Sequence, residues 1–379
     1  VTNQRWYDIP TYDELIKLYD FDAKDRNTMT HGGVNQELLD KTSSQLYKMI
    51  NKGINLDFRP EFGIELALCV PYAYSLHLRG LLESVKTSIE MKPFYYFCDN
   101  VMEYYNKRTI DNELAGLHTC PNSWIHHNAI ALKGVDYEQL SAEEKIEVNG
   151  VLDYTEWECP PFKEHFSNAF TTDTRKTVII TNKYNIEHGE RPRGFFDIEC
   201  LGKMFTMLTD KGYKVIYKRT RNTEKHFAYD ENEIQSLNLG FTNIVAMDRT
   251  SWKPEMLTDF GLVESWKSKG VTTMDDEVEN IRYRANNFEM RYNEAQLRIM
   301  ANATHYISVC GGNSILSALF GGTLVTYVHK GKELREGYFK DNSYIRKLSN
   351  ANVIPVLDPI PDGGVNNYNG IYEAIRNNF

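Results

Sequence analysis

The sequence has no long apolar run, no closely paired cysteines and no excess of positive charge, and each absence closes off a class of protein. No stretch approaches the ~18 consecutive apolar residues of a membrane-crossing helix, and the polar amino end predicts no signal peptide. Six cysteines, Cys69, Cys98, Cys120, Cys159, Cys200 and Cys310, occur among 379 residues, none in a Cys-x-x-Cys pair. Several lie inside apolar runs, so buried free thiols are expected, in a cytoplasmic protein for which a peripheral association with a membrane stays open. The formal net charge of −9 argues against a general nucleic-acid or anionic-membrane binder, although a local basic pocket remains open to it. Neither the Gly-x-Gly-x-x-Gly of a dinucleotide site nor the Lys-Ser/Thr ending of a P-loop is present. There is also no short-period repeat and no low-complexity segment.

What is present reads as an α/β protein of two or more domains. Hydrophobic residues make up 41% of the chain, enough for ordinary cores. The 24 tyrosines suit either buried packing or stacking on sugar rings. Residues 1–55 read as a helical amino-terminal extension, with capping boxes at Thr11–Glu14 and Thr42–Gln45. Asp20–Phe21–Asp22 spells Asp-x-Asp, but it follows a helix rather than a buried strand, and reads as a solvated loop. Ile64–Val70 is predicted as a buried strand, Ser75–Ile89 as a helix with Leu78, Leu81, Leu82 and Val85 on one face, and Phe94–Phe97 as a second strand ending at Asp99. Trp124–Leu132 is a further candidate strand, and Ser141–Glu144 caps a charged helix. Cys159–Pro160–Pro161 interrupts the periodicity, so residues 56–165 form a first α/β domain and 175–360 a second, with a last helix in 361–379.

In the second domain, Thr177–Thr181, Lys214–Lys218 and Asn243–Met247 are predicted strands. Phe195–Thr209 is a predicted helix stopped by Gly212, and Asn293–Gln296 a capping box for a helix through Ala303. The organising stretch is His305–Tyr327, HYISVCGGNSILSALFGGTLVTY. It reads as a strand, a turn at Gly311–Ser314, a short helix closed by Gly321–Gly322, and another strand. Open parallel sheets bind ligands at the carboxyl ends of their strands. That rule gathers the Asn182–Gly194 loop with Lys183, His188, Arg191 and Arg193, the Lys218–Arg221 segment, and the glycine turn on one rim. Such a rim suits a phosphate or diphosphate; surface lysines and a plain strand-to-helix turn are the alternative.

The run EAQLRIMANATHYISVCGGNSILSALFGGTLVTY resembles the nucleotide-sugar half of the GT-B glycosyltransferases, and the likeness covers about half the chain, from Thr177 to Leu357. The resemblance implies two facing Rossmann-like domains. It also implies metal-independent sugar transfer from a nucleotide-diphosphate sugar, UDP- or GDP-linked, to a hydroxyl acceptor, for glycan or polysaccharide synthesis, with no other cofactor. Donor contacts then fall to Gly311, Gly312, Asn313 and Ser314, with Lys183, Arg191, Arg193, Lys218 and Arg219 as cations. The general base belongs to the first domain: His77 and Asp99 are the candidates, with His126–His127 as a third option. The family's downstream acidic residue for the ribose has no firm counterpart; Glu333 and Glu336 are the nearest. A nucleotide-sugar epimerase or hydrolase of the same fold, or a non-catalytic sugar- or nucleotide-binding module, are the alternatives.

Overall fold

The computed structural model describes residues 54–78, 80–111, 115, 158–168, 173–186, 192, 194–220, 227–329, 346, 348–358 and 367–379. These fall into two compact units that divide between Pro160 and Pro161.

In the N-terminal unit, strands β1 (Ile54–Asp57), β2 (Leu82–Ser88) and β3 (Val101–Tyr105) form a parallel sheet in that order. The apolar run expected to be a strand is instead helical. Phe62–Ile64 leads into a π-helix, Glu65–Cys69, and then into helix α1 (Val70–Leu78). Pro71 has no N–H to donate back along the chain, and the turn ahead of it is the widened one. Gly80, at φ +66°, then breaks the helix. The segment expected to continue helically to Ile89 therefore holds β2 instead. Phe94–Phe97 is no strand either; a 3₁₀ turn, Lys92–Tyr95, occupies that place. Of the helical extension read over 1–55, residues 1–53 lie outside the described residues and Ile54–Asn55 open β1 instead; the 124–132 strand and the 141–144 helix also lie outside the described residues.

The C-terminal unit, a parallel α/β sheet, follows the sequence reading more closely. Its strands are β4 (Thr177–Thr181), β5 (Lys214–Lys218), β6 (Val271–Thr273), β7 (His305–Val309), β8 (Thr323–His329) and β9 (Asn352–Asp358). All pair in parallel, in the order β6-β5-β4-β7-β8-β9. Counted within the unit this is 3-2-1-4-5-6, the doubly wound nucleotide-binding order. Asn243–Met247 contributes only a single bridge, Val245 to Thr258, rather than a strand.

Short α2 (Phe162–Phe166) opens this unit. Helices α3 (Ile198–Asp210), α4 (Glu231–Asn238) and α5 (Asp259–Ser265) follow the first two strands. Helices α6 (Met274–Arg284), α7 (Tyr292–Ala301) and α8 (Gly312–Leu319) come next, and α9 (Asn369–Asn378) closes the chain. Asn293 and Gln296, read as a cap, are buried inside α7, whose N-cap is Arg291. Alternate strand residues sort the two faces. Val178, Ile180, Val215, Tyr217, Ile307, Val309, Val325 and Tyr327 pack with residues of α3, α5 and α9 in one core. The intervening positions face the other way: Lys214 pairs with Glu277 of α6 at 2.7 Å, and Lys218 reaches α8.

Candidate functional site

The strand order reverses between β4 and β7, and in open α/β sheets the crevice outside the carboxyl ends at such a point takes the ligand. At that place the hydroxyl of Thr181 donates to Ser308 Oγ at 2.5 Å, tying the two strand ends together. Beyond β4 comes Asn182, 2% exposed, whose amide organises the loop. Its Oδ1 accepts from the N–H groups of Lys183 and Phe196, both at 3.0 Å. Its Nδ2 donates to Phe196 O at 2.9 Å and to the Tyr217 hydroxyl at 3.2 Å. The backbone of Lys183 is thereby fixed to the approach to α3.

Beyond β7 the chain turns at Gly311, whose φ of +147° disfavours any side chain. Ser314 secures the turn: its Oγ accepts from Gly311 N at 3.0 Å and donates to Gly311 O at 2.6 Å. Its own N–H goes to Gly311 O at 3.0 Å. Ser314 is fully buried, so it shapes the turn rather than presenting itself at the rim. The N–H groups of Gly312 and Asn313 stand in the first turn, where a helix has no acceptor of its own and carries partial positive charge. Two lysines converge here. Lys183 Nζ lies 3.8 Å from where a Gly311 side chain would begin. Lys218 Nζ donates to Asn313 Oδ1 at 2.6 Å. Two ammonium groups and the open start of a helix thus surround one turn, in a protein of net charge −9.

No protein-family model matches the sequence, and no curated protein does. Two solved structures share a slight likeness. One is ADP-heptose LPS heptosyltransferase II of E. coli, at 11% identity and a TM-score of 0.39, over 80% of this chain and 90% of that one. The other is a family 9 glycosyl transferase from Veillonella parvula, at 11% identity and a TM-score of 0.40, over 82% of this chain and 86% of that one. Likenesses of this size carry no argument about activity, which rests on the geometry.

The structure does not unite all the residues that the sequence singled out. Lys183, Lys218 and the Gly311–Ser314 turn come together; Arg219 does not join them. Its side chain, 3% exposed, is ion-paired with fully buried Asp259 at 2.6 Å, donates to Thr242 O at 2.9 Å and lies over the Phe260 ring. The Tyr217 hydroxyl also donates to Asp259, at 2.8 Å; burial first, then the Asp259 charge, keeps that phenol protonated. Arg219 is therefore a structural cation, committed to a buried carboxylate. Arg191 and Arg193 lie outside the described residues, as do His188, Arg221, His126, His127, Glu333 and Glu336.

His77 and Asp99 were expected at strand carboxyl ends, and neither is there. His77 lies near the end of α1, which leads to the amino end of β2, and its ring packs at 6.1 Å on Tyr74 and 5.4 Å from Phe97. Asp99 follows the 3₁₀ turn and precedes β3, also at an amino end. Both were misplaced because the strands assumed to precede them are helical.

Sequence reasoning passed over the groups that do stand at the carboxyl ends of the N-terminal sheet. Asp57 closes β1, and accepts from Lys86 at 2.9 Å and from the Tyr105 hydroxyl at 2.5 Å. On the covered side, fully buried Glu65 accepts from Arg108 at 2.6 Å, from Tyr95 at 3.0 Å and from Thr87. Burial first, and the Glu65 charge second, raise Tyr95 well above the usual phenol range, so it serves as a donor. No local signal marks these partners, which are separated by 22 to 43 residues in the chain. Among the described residues no three His, Cys, Asp or Glu side chains gather as metal ligands would, and no helix is long and apolar enough to cross a membrane.

Proposed function

We propose that the C-terminal unit grips the diphosphate of a nucleotide-linked sugar, UDP- or GDP-linked, and that the protein transfers the sugar to a hydroxyl acceptor in glycan or polysaccharide synthesis. One observation carries this reading: Lys183, Lys218 and the first N–H groups of α8 meet at the β4/β7 reversal of a 3-2-1-4-5-6 sheet. In such a transfer the bond between the anomeric carbon and the diphosphate oxygen breaks, and an acceptor oxygen takes its place. Negative charge builds on the departing diphosphate. Preorganised donors aimed at developing charge contribute roughly 2.7–4 kcal/mol each where they have been measured. Lys183 and Lys218 provide the charge and Gly312 and Asn313 the amides, in a metal-independent site. The acceptor's proton passes to a base, a role for which the amino-end positions of His77 and Asp99 give no support.

The test is a thermal-shift screen of the full chain against UDP, GDP, CMP and their sugars, with Lys218→Met alongside. Ligand at a hundredfold excess over its dissociation constant stabilises by about 2.7 kcal/mol. A diphosphate should raise the melting temperature, a monophosphate should raise it less, and Lys218→Met should remove most of the rise. Sugar donors should release free nucleotide when an acceptor is supplied. Silence toward every nucleotide refutes the reading, and binding without release leaves a binding module.

A further inference from the structure

We propose that the hydroxyl bond between Thr181 and Ser308 is a spacing clamp that makes the site favour two linked phosphates over one, with both as positioning residues. The inference rests on the diphosphate reading and adds what sets its selectivity. Lys218, Thr181, Ser308 and Thr326 stand in register across β5, β4, β7 and β8. The preceding residues, Tyr217, Ile180, Ile307 and Val325, belong to the core on one side of the sheet, so this row faces the other way. Thr181 is buried, and Ser308 and Thr326 fully so. Strands covered on both faces are ordinarily apolar throughout, and a buried hydroxyl costs free energy unless it is bonded. Packing alone does not account for such a row.

Its effect follows from where the two chains go next. The β4–β7 ladder ends at the Thr181–Ser308 pair. Beyond it the chains lean apart: Asn182 N donates to Lys218 O on β5 at 2.8 Å, and Cys310 N donates to Tyr327 O on β8 at 2.9 Å. One chain leads on to Lys183, the other to Gly311. The Thr181 hydroxyl, donating to Ser308 Oγ, joins the bases of these two arms where they part, and Ser308 donates in turn to Val309 O at 2.8 Å. A single phosphate can rest on one arm and tolerates a change of spacing. Two linked phosphates must meet both arms at once, and the gain from the second contact is lost when geometry forbids simultaneous engagement. Thr326 supplies an internal comparison. Its Oγ1 has no hydrogen-bond partner among the described residues, so it belongs to the row but not to the clamp.

The experiment is isothermal titration of the full chain with UDP, UMP, GDP and GMP, repeated on Thr181→Val, Thr181→Ser and Thr326→Val, with melting temperatures recorded on the same samples. Thr181→Val keeps the side chain's shape and removes the donor. It should weaken the bound nucleoside diphosphate about three- to tenfold, the worth of one hydrogen bond, while its monophosphate changes by less than about twofold. Thr181→Ser should restore the preference. Thr326→Val should leave both affinities as they are and hold or raise the melting temperature, since it removes a buried hydroxyl that has no partner. Equal losses for diphosphate and monophosphate in Thr181→Val, no rescue by Thr181→Ser, or the same loss in Thr326→Val overturns the clamp. Silence of the unaltered chain toward every nucleotide fails both readings; a diphosphate preference that Thr181→Val leaves untouched fails this one alone.

Discussion

The sharpest prediction separates two neighbouring cations, Lys218 and Arg219. Replacing Arg219 with Met removes two hydrogen bonds to Asp259, at 2.6 and 3.1 Å, and one to Thr242 O at 2.9 Å. It leaves a fully buried carboxylate facing the Tyr217 hydroxyl and a distant Ile244 N–H at 3.4 Å. Breaking a buried ion pair from one side costs about 3–5 kcal/mol. The remaining Tyr217 donor sets the expectation at the lower end, about 3 kcal/mol. For a unit of this size each kcal/mol is worth roughly 2–4 °C, so scanning fluorimetry should show Arg219→Met melting roughly 6–12 °C below the parent. Adding Asp259→Leu should restore much of the loss, because no lone charge then remains buried. Lys218→Met gives up its part-buried hydrogen bond to Asn313 Oδ1, and should cost about 0.5–1.5 kcal/mol, roughly 1–6 °C and less than Arg219→Met, yet it should remove most of the response to nucleoside diphosphates. If Arg219→Met melts like the parent and loses the nucleotide response, the assignment of the two residues is reversed and the reasoning fails.

Three further outcomes are expected. Burial first, then Lys176, holds His305 below its ordinary value of 6.5, and burial with Arg298 does the same for His165. The unfolded chain therefore takes these protons first; stability is full above the ordinary value and declines as the pH falls through it, and His305→Gln should flatten part of that decline in urea titrations at about pH 7.5 and 5.5. Gly322 has φ +73°, and a side chain there would begin 2.3 Å from Thr304 O, whereas Gly212, at φ +82°, has nothing within 4 Å. Gly322→Ala should thus lose at least about 2 kcal/mol in urea unfolding and clearly more than Gly212→Ala, which carries backbone strain alone; equal losses would remove the steric argument. Asn182→Leu strands the Lys183 and Phe196 N–H groups, should cost about 2–4 kcal/mol, and should weaken nucleotide binding in what remains folded.

The C-terminal sheet was legible because parallel strands covered on both faces are written as unbroken apolar runs. TVIIT, KVIYK and HYISV are such runs, and the glycines around the short helix set its limits. The three residues of β6 were too short to register. The N-terminal unit was misread for the same physical reason. IELALCV is equally apolar, and an apolar run of that length does not distinguish a strand from a buried helix. Leu78, Leu81, Leu82 and Val85 share helical spacing by coincidence across Gly80, which ends the helix. At the candidate site, lysines at strand ends were readable as cations. Whether a cation meets a ligand or a buried acid depends on a partner far along the chain, and Arg219 and Asp259 stand 40 residues apart.

The hydrogen bond from Lys218 to Asn313 bridges the end of one strand and the beginning of a helix that the chain reaches only 95 residues later. In the diphosphate site proposed above, a phosphate would meet an ammonium already aimed at the turn before contact. Asn313 then acts as a holster: replacing it with Leu should slow capture and loosen the grip while no phosphate oxygen loses a direct partner from that side chain.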